Sequence, residues 1–332
     1  MTAAARRPWA DAADRWLLRQ SDLRVQRAGR VRAMATVLRL ARRRALERDW
    51  TRIADALDCP AHWDSGDRLP PIAVFIPCHP RDVPFLIRCL PITLAALANP
   101  VAQITIAVPG RILPDLRTRI SALAVPSAVT VLDEADLLPS RLRADIAAAF
   151  PERAGWLTAQ ALKLTFAADS QHPGVLQLDA DTVLTHRRAW LSADGRQPLL
   201  PTYEWHPPYY RVLTDLGLPV QPNTSYIAHH MLHQPAVLSA ILAALGCASV
   251  SDLLHRTLSQ LRAANDPAAS LDYELYAHGL MALAPERVVR LRWANVPMAP
   301  GAAHGLLASP QRLAAFGRRF ASLSAHGFIG QP

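Results

Sequence analysis

Leu176-Gln-Leu-Asp-Ala-Asp-Thr-Val-Leu184 is the stretch on which the fold turns. A short apolar run delivers Asp179 and Asp181, one residue apart, where a strand leaves a sheet. Two carboxylates so placed can share one hard divalent cation through oxygen ligands. The same spacing also serves ordinary turns, because Asp side chains close local hydrogen bonds after strands. The surrounding sequence has to decide between the two.

Immediately upstream, Gly155-Trp-Leu-Thr-Ala-Gln-Ala-Leu-Lys-Leu-Thr-Phe166 has helical spacing, and Trp156, Gln160 and Lys163 share one face at i, i+4 and i+7. Lys163 is the single lysine of a chain whose basic residues are otherwise all Arg, which favours a specific task for it. Farther back, residues 72–77, 103–108 and 129–132 read as buried strands, with helices between them at 83–97 and 113–123. A further helix at 140–150 and a strand at 174–178 lead to the Asp pair. This alternation predicts βα units, right-handed crossovers and a mainly parallel sheet. Ligands of such sheets sit beyond the carboxyl ends of the strands. His79, Arg81 and Asp82 fall at that edge, as do Asp133, Glu134 and Asp136.

Downstream, Leu199-Leu-Pro-Thr-Tyr-Glu-Trp-His-Pro-Pro-Tyr-Tyr-Arg211 gathers aromatics, Glu204 and His206 into a Pro-broken loop, which suits either a sugar platform or plain packing. Ser225-Tyr-Ile-Ala-His-His-Met-Leu-His233 alternates as a strand that puts His229 and His230 on opposite faces, so at most one can enter a site. Ser270-Leu-Asp-Tyr-Glu-Leu-Tyr276 reads as a helix start, with Ser270 as N-cap and acids in the first turn. Asp272 and Glu274 are also the best downstream carboxylates for a general base. An apolar run at 288–293, then His304, then a closing helix over 310–325 complete the chain.

The totals narrow the class. With 332 residues, 51% of them hydrophobic and 19% charged, the chain can bury a sizeable core, and global disorder is excluded. Cys59, Cys78, Cys89 and Cys247 form no C-x-x-C pair, so neither a thiolate zinc site nor a disulfide framework is expected. The net charge of +9 resides almost wholly in residues 1–50, where 13 Arg face five acids. The rest is nearly neutral, which argues against a nucleic-acid partner. Within residues 31–46, Met34, Val37, Leu38, Ala41 and Ala45 recur at helical spacing among Arg32, Arg39, Arg42, Arg43 and Arg44. That pattern makes a basic amphipathic helix, to pack on the main domain or to meet an anionic membrane surface. No apolar segment of 18 residues and no signal-peptide core are present, so a cytoplasmic location, peripheral to the inner face of the membrane, is expected. Gly-x-Gly-x-x-Gly, the P-loop pattern and Gly-x-Ser-x-Gly are absent, which argues against a dinucleotide dehydrogenase, a P-loop enzyme and an α/β-hydrolase.

The order of apolar strand, Pro77-Cys-His-Pro-Arg-Asp82 loop, two further strands, Trp156-Leu-Thr-Ala-Gln-Ala-Leu-Lys-Leu164 helix and Asp179-Ala-Asp181 resembles a GT-A nucleotide-sugar glycosyltransferase. It is most similar to a bacterial group with Gln-x-x-Lys-Leu before the Asp-x-Asp and Ser-x-(Glu/Asp)-Tyr-Glu-x-Tyr after it. The resemblance covers roughly residues 71–295. It implies an α/β, GT-A-like, mainly parallel sheet flanked by helices over 71–332, and it leaves unexplained the basic helical extension read from the residues at 1–70. It implies that Asp179 and Asp181 hold Mn2+ or Mg2+ against the diphosphate of a nucleotide-sugar donor, with His304 as a late histidine for the metal shell. Gln160 and Lys163 would lie near the nucleotide or diphosphate, and His79, Arg81 and Asp82 near base and ribose. Asp272 or Glu274 would activate the acceptor if the enzyme inverts. The reaction expected is hexosyl transfer to a glycan, lipid-linked or small-molecule acceptor. Two other readings share the motif: a haloacid-dehalogenase-like phosphatase with Asp179 as nucleophile, and a non-catalytic nucleotide-sugar binding module. The phosphatase signature normally follows the first strand, and no lysine follows Lys163.

Overall fold

The computed structural model describes residues 68–326, apart from 124, 126, 186, 203–205, 222–223, 292–294 and 318–319. They lie in one compact unit, Cys59–Pro332. The expected amphipathic helix at 31–46, and nearly all of the extension at 1–70, fall outside the described residues.

Five strands form the central sheet: β1 (Ile72–Pro77), β2 (Val101–Val108), β3 (Val129–Asp133), β4 (Val175–Leu178) and β7 (His230–His233). Their order is β3-β2-β1-β4-β7. The first four are mutually parallel and β7 runs antiparallel along β4. The fold is thus the expected α/β class, a mainly parallel sheet flanked by helices.

Burial on both faces explains why β1 is apolar throughout and β4 is apolar but for Gln177, whose amide donates to the Lys163 carbonyl at 3.0 Å. Ile72, Val74 and Ile76 point to one side, where α1 (Val83–Ala95) and α2 (Leu113–Ser121) pack. Ala73 and Phe75 point to the other, against α3 (Ser140–Ala149), α4 (Ala154–Asp169), α6 (Pro235–Ala244) and α7 (Val250–Ala264). Phe75 stacks on Phe166 of α4, with ring centroids 4.3 Å apart. A short helix, α5 (Pro207–Asp215), precedes α6, and α8 (Tyr276–Leu283) follows α7.

Two small sheets complete the unit: β5-β10-β9, built from Thr182–Leu184, Ser322–Ala325 and Asn295–Met298, and β6-β8, built from Gln197–Leu199 and Val288–Arg290. The closing helix expected over 310–325 is instead a helix, Pro310–Gly317, followed by β10. Strand β10 lies between β5 and β9 and returns the chain end to the Asp pair, since the Ala325 N–H donates to the Asp181 carbonyl at 2.8 Å.

Strand order reverses at β1, between β2 and β4. A crevice opens at such a switch point beyond the carboxyl ends of the strands. Asp82 follows β1 and Asp179 follows β4, so the two flank that crevice.

Candidate active site

Helix α4 ends close to the start of β4 and so runs antiparallel to it, with its N-terminus at the carboxyl edge of the sheet. This direction lets Lys163 meet Asp179. Lys163 is 2% exposed, and its ammonium donates to Asp179 Oδ1, to Asp272 Oδ2 (2.7 Å) and to the Tyr273 hydroxyl (2.9 Å). A buried ammonium needs such partners, since desolvation without them costs several kcal/mol. Burial lowers its pKa, but the two carboxylates prevail and push it up to about 12.

Both oxygens of Asp179 are engaged. Oδ1 accepts from Lys163 and from the Tyr273 hydroxyl (2.9 Å), and Oδ2 lies 3.1 Å from His229 Nδ1. Burial pushes the Asp179 carboxyl up, yet Lys163 and His229 hold it well below the usual carboxylate range. Asp272 lies deeper and is shifted upward, burial outweighing its share of the same ammonium.

Asp181 is placed differently. Its contacts are long: Thr182 Oγ1 at 3.4 Å and His326 Nδ1 at 3.4 Å. Its charge is felt nearby. Burial first, and Asp181 second, raise Asp82 to about 6, while Arg81 Nε at 3.4 Å pulls the other way. His229 and His326 pack together with centroids 4.7 Å apart, so each Asp of the pair has its own histidine in one ring contact.

His229 precedes β7 with φ +63°, a left-handed conformation rare outside glycine. The Asp179 N–H donates to its carbonyl at 3.0 Å and holds the turn. His230 points away, edge-on to the Trp190 ring, and burial lowers it to about 3. One histidine of the two lies beside Asp179, as expected, but not by strand alternation over 225–233: the strand begins only at His230, and the left-handed turn at His229 separates the two.

The other expected site residues are distributed unevenly. His79 caps the turn Pro80–Asp82, its Nδ1 accepting from the Arg81 N–H at 3.2 Å. Partial burial, then Arg81 and Arg111, lower its pKa. Gln160 does not face the crevice: its amide donates to the Ala269 carbonyl (3.1 Å) and its carbonyl accepts from the Leu271 N–H (2.7 Å). Gln160 thereby starts the turn Leu271–Leu275, a π-helical turn at which Ser270 makes no side-chain cap. Glu274 is fully buried, and its Oε1 accepts from Ser225 Oγ (2.7 Å), Tyr210 Oη (3.1 Å) and the Tyr226 N–H (3.2 Å). Neither Asp272 nor Glu274 is open to an acceptor. His304 sits instead against α1, edge-on to Phe85 and 3.5 Å from an Arg88 nitrogen, and the histidine beside Asp181 is His326. Tyr273 and His326 were not singled out by sequence. The Tyr lies inside the quoted acidic segment, whereas no local pattern marks the His.

Among the described residues, no group of three His, Cys, Asp or Glu is arranged to enclose a metal ion, and no helix is long and apolar enough to cross a membrane. No family model matches the chain, and no curated protein matches it. Among solved structures, the crystal structure of mouse xyloside xylosyltransferase 1 in its apo form matches with a TM-score of 0.44 at 13% identity, over 79% of this chain and 100% of that one. At that score the likeness carries no weight for function.

Proposed function

We propose that this chain is a metal-dependent glycosyltransferase of the GT-A type, which moves a sugar, read from the sequence as a hexose, from a nucleotide-diphosphate donor to a glycan, lipid-linked or small-molecule acceptor. The observation that carries the reading is Asp181, a half-buried carboxylate whose side-chain contacts are long and whose charge helps to raise Asp82, at the end of the neighbouring strand. Two carboxylates close enough for one to raise the other attract a cation. Mn2+ or Mg2+ suits them, because a small hard ion commonly takes one or two carboxylates and completes its shell with water and substrate phosphate. An enclosed three-ligand cage is therefore not required. Asp181 would hold the ion, with His326 and Asp82 beside it. The ion would supply positive charge against the departing diphosphate.

The chain's own residues divide the remaining work. Lys163, Tyr273 and His229 fix the Asp179 carboxylate, so its exposed edge is pre-oriented toward the donor. The same engagement weighs against Asp179 as a phosphatase nucleophile, which needs an open oxygen. His79 and Arg81 stand on the opposite wall, at the end of β1, for base and ribose. Asp272 and Glu274 are read as supports, so acceptor activation is not drawn from them.

Calorimetric titration of UDP-, GDP- and dTDP-sugars with and without Mn2+ tests the reading. Metal-dependent binding is expected in the native chain. It should vanish in Asp181→Asn while the unfolding midpoint barely moves. Binding that ignores the metal, or survives the substitution, would remove the metal site from Asp181.

A further inference from the structure

The Gln-x-x-Lys spacing of α4 has a use that the donor site leaves unexplained. Residues three apart lie one above the other on a helix face, so Gln160 and Lys163 meet the same neighbour one turn apart. That neighbour is the π-helical turn Leu271–Leu275, and both side chains are buried. Gln160 grips the backbone where the turn begins: its amide donates to the Ala269 carbonyl and its carbonyl accepts from the Leu271 N–H. Lys163 grips the side chains, donating to Asp272 and to the Tyr273 hydroxyl.

The frame around this turn is fixed from the sheet as well. His233 of β7 donates through Nε2 to the Asp272 carbonyl at 2.7 Å. Gln177 of β4, two residues before Asp179, donates to the Lys163 carbonyl and so ties α4 to the strand that carries the Asp pair. The Leu275 N–H closes on the Ser270 carbonyl at 3.2 Å, five residues back, and a ring of that size shifts the side chains around the helix axis. Asp272 and Tyr273, neighbours in sequence, both reach one ammonium, and the Tyr273 hydroxyl goes on to donate to Asp179 Oδ1 at 2.9 Å. A hydroxyl that accepts from one group and donates to another tolerates little displacement, because hydrogen bonds weaken steeply with angle.

We propose that Gln160 is a positioning residue for Asp179: by holding the chain at Ala269 and Leu271 it sets where Tyr273 meets Lys163 and Asp179, and so how that carboxylate is oriented. That the oriented carboxylate serves a donor diphosphate rests on the transferase reading; the coupling of Gln160 to Tyr273 does not.

A double-mutant cycle tests the coupling, read as urea midpoints of the full chain without nucleotide or metal, for the native protein, Gln160→Leu, Tyr273→Phe and the pair. Tyr273→Phe should shift the midpoint less than about half as far in the Gln160→Leu background as in the native one, because a loosened turn no longer aims the hydroxyl. Additive shifts, the result for a glutamine that only braces its own surroundings, would overturn the proposal. If Gln160→Leu does not fold, Gln160→Asn, whose shorter amide cannot span both backbone groups, takes its place with the same two outcomes. In the titration of nucleotide sugar with Mn2+, the Gln160 variant should bind about tenfold more weakly on the folded fraction, the scale of one misplaced hydrogen bond to a charged group. Glu274→Ala, equally buried, should keep the native affinity, and equal effects of the two substitutions would leave Gln160 a structural residue only. A coupled cycle in a protein that binds no nucleotide sustains the positioning of Asp179 and removes the transferase reading.

Discussion

Asp179-Ala-Asp181 and Asp272-Tyr-Glu274 have the same spacing and opposite outcomes. The first pair leaves β4 in an open turn, and both its carboxylates stay at the crevice, with side chains 27% and 23% exposed. The second pair is wound into a π-helical turn, where residues two apart point to different sides. Asp272 goes to Lys163 and Glu274 to Ser225, Tyr210 and Tyr226, and both are buried. Spacing therefore says how acids can be arranged only once the backbone beneath them is known. One pair stays partly exposed at the sheet edge, while the other is buried among the side chains beneath it.

The sharpest way to break this contrast is to remove what joins the pairs. Lys163→Met leaves Asp272 buried without its cation and Asp179 with only Tyr273 and His229. Losing one partner of a buried ionic cluster costs about 3–5 kcal/mol. Denaturant unfolding should show a loss of that size, and adding Asp272→Asn should recover part of it by removing the stranded charge. A loss below about 1 kcal/mol, the range of an exposed pair, would mean the two carboxylates do not share the ammonium.

Next in size is Glu274→Ala, which strips one acceptor from three buried donors. Unpaired buried groups cost about 1–3 kcal/mol. Stability should drop accordingly, and nucleotide titration on the folded fraction should match the native chain. A catalytic base would give the reverse: intact stability and lost turnover.

The sheet was readable because its signals are local. Residues 72–77 form β1 as the apolar run predicts, and the βα alternation anticipates that β1 to β4 run parallel, though not their order β3-β2-β1-β4. Asp179, Asp181, Lys163 and Asp82 were legible for the same reason, each marked by its place after a strand or on a helix face. What stayed hidden depends on distant partners. Ser270 has the composition of an N-cap, but the Leu271 N–H is taken by Gln160, 111 residues earlier. Ser322-Leu-Ser-Ala325 carries no strong strand pattern and extends only because β5 and β9 flank it. His326 reaches Asp181 through that pairing, which no reading of neighbours could supply, whereas His304, expected as a late histidine without a flanking motif, packs elsewhere.

The smallest expected effect separates the two carboxylates of the crevice by the sign of their pH dependence. Asp82 is raised from 3.8 to about 6, by burial and then by Asp181. Between those values the folded chain binds more protons than the unfolded one, so this group's contribution is greatest below about pH 4 and is lost as pH rises through 6. The change is on the order of 1 kcal/mol once partial exposure is allowed for. Asp179, held down by Lys163, has the opposite sign: its contribution is complete above its ordinary carboxylate pKa and disappears as pH falls below it. Urea midpoints at about pH 2, 3, 4, 5, 6 and 7, for the native chain and for Asp82→Asn, resolve the two, Asp179 below about pH 4 and Asp82 above it. The variant should gain relative to the native chain toward pH 7 and keep the acid-side decline. Asp181→Asn should reduce the same Asp82 slope, because it removes the charge that raises Asp82. If the native and Asp181→Asn slopes coincide, Asp82 answers to burial alone and the two carboxylates do not face one another as a cation site requires.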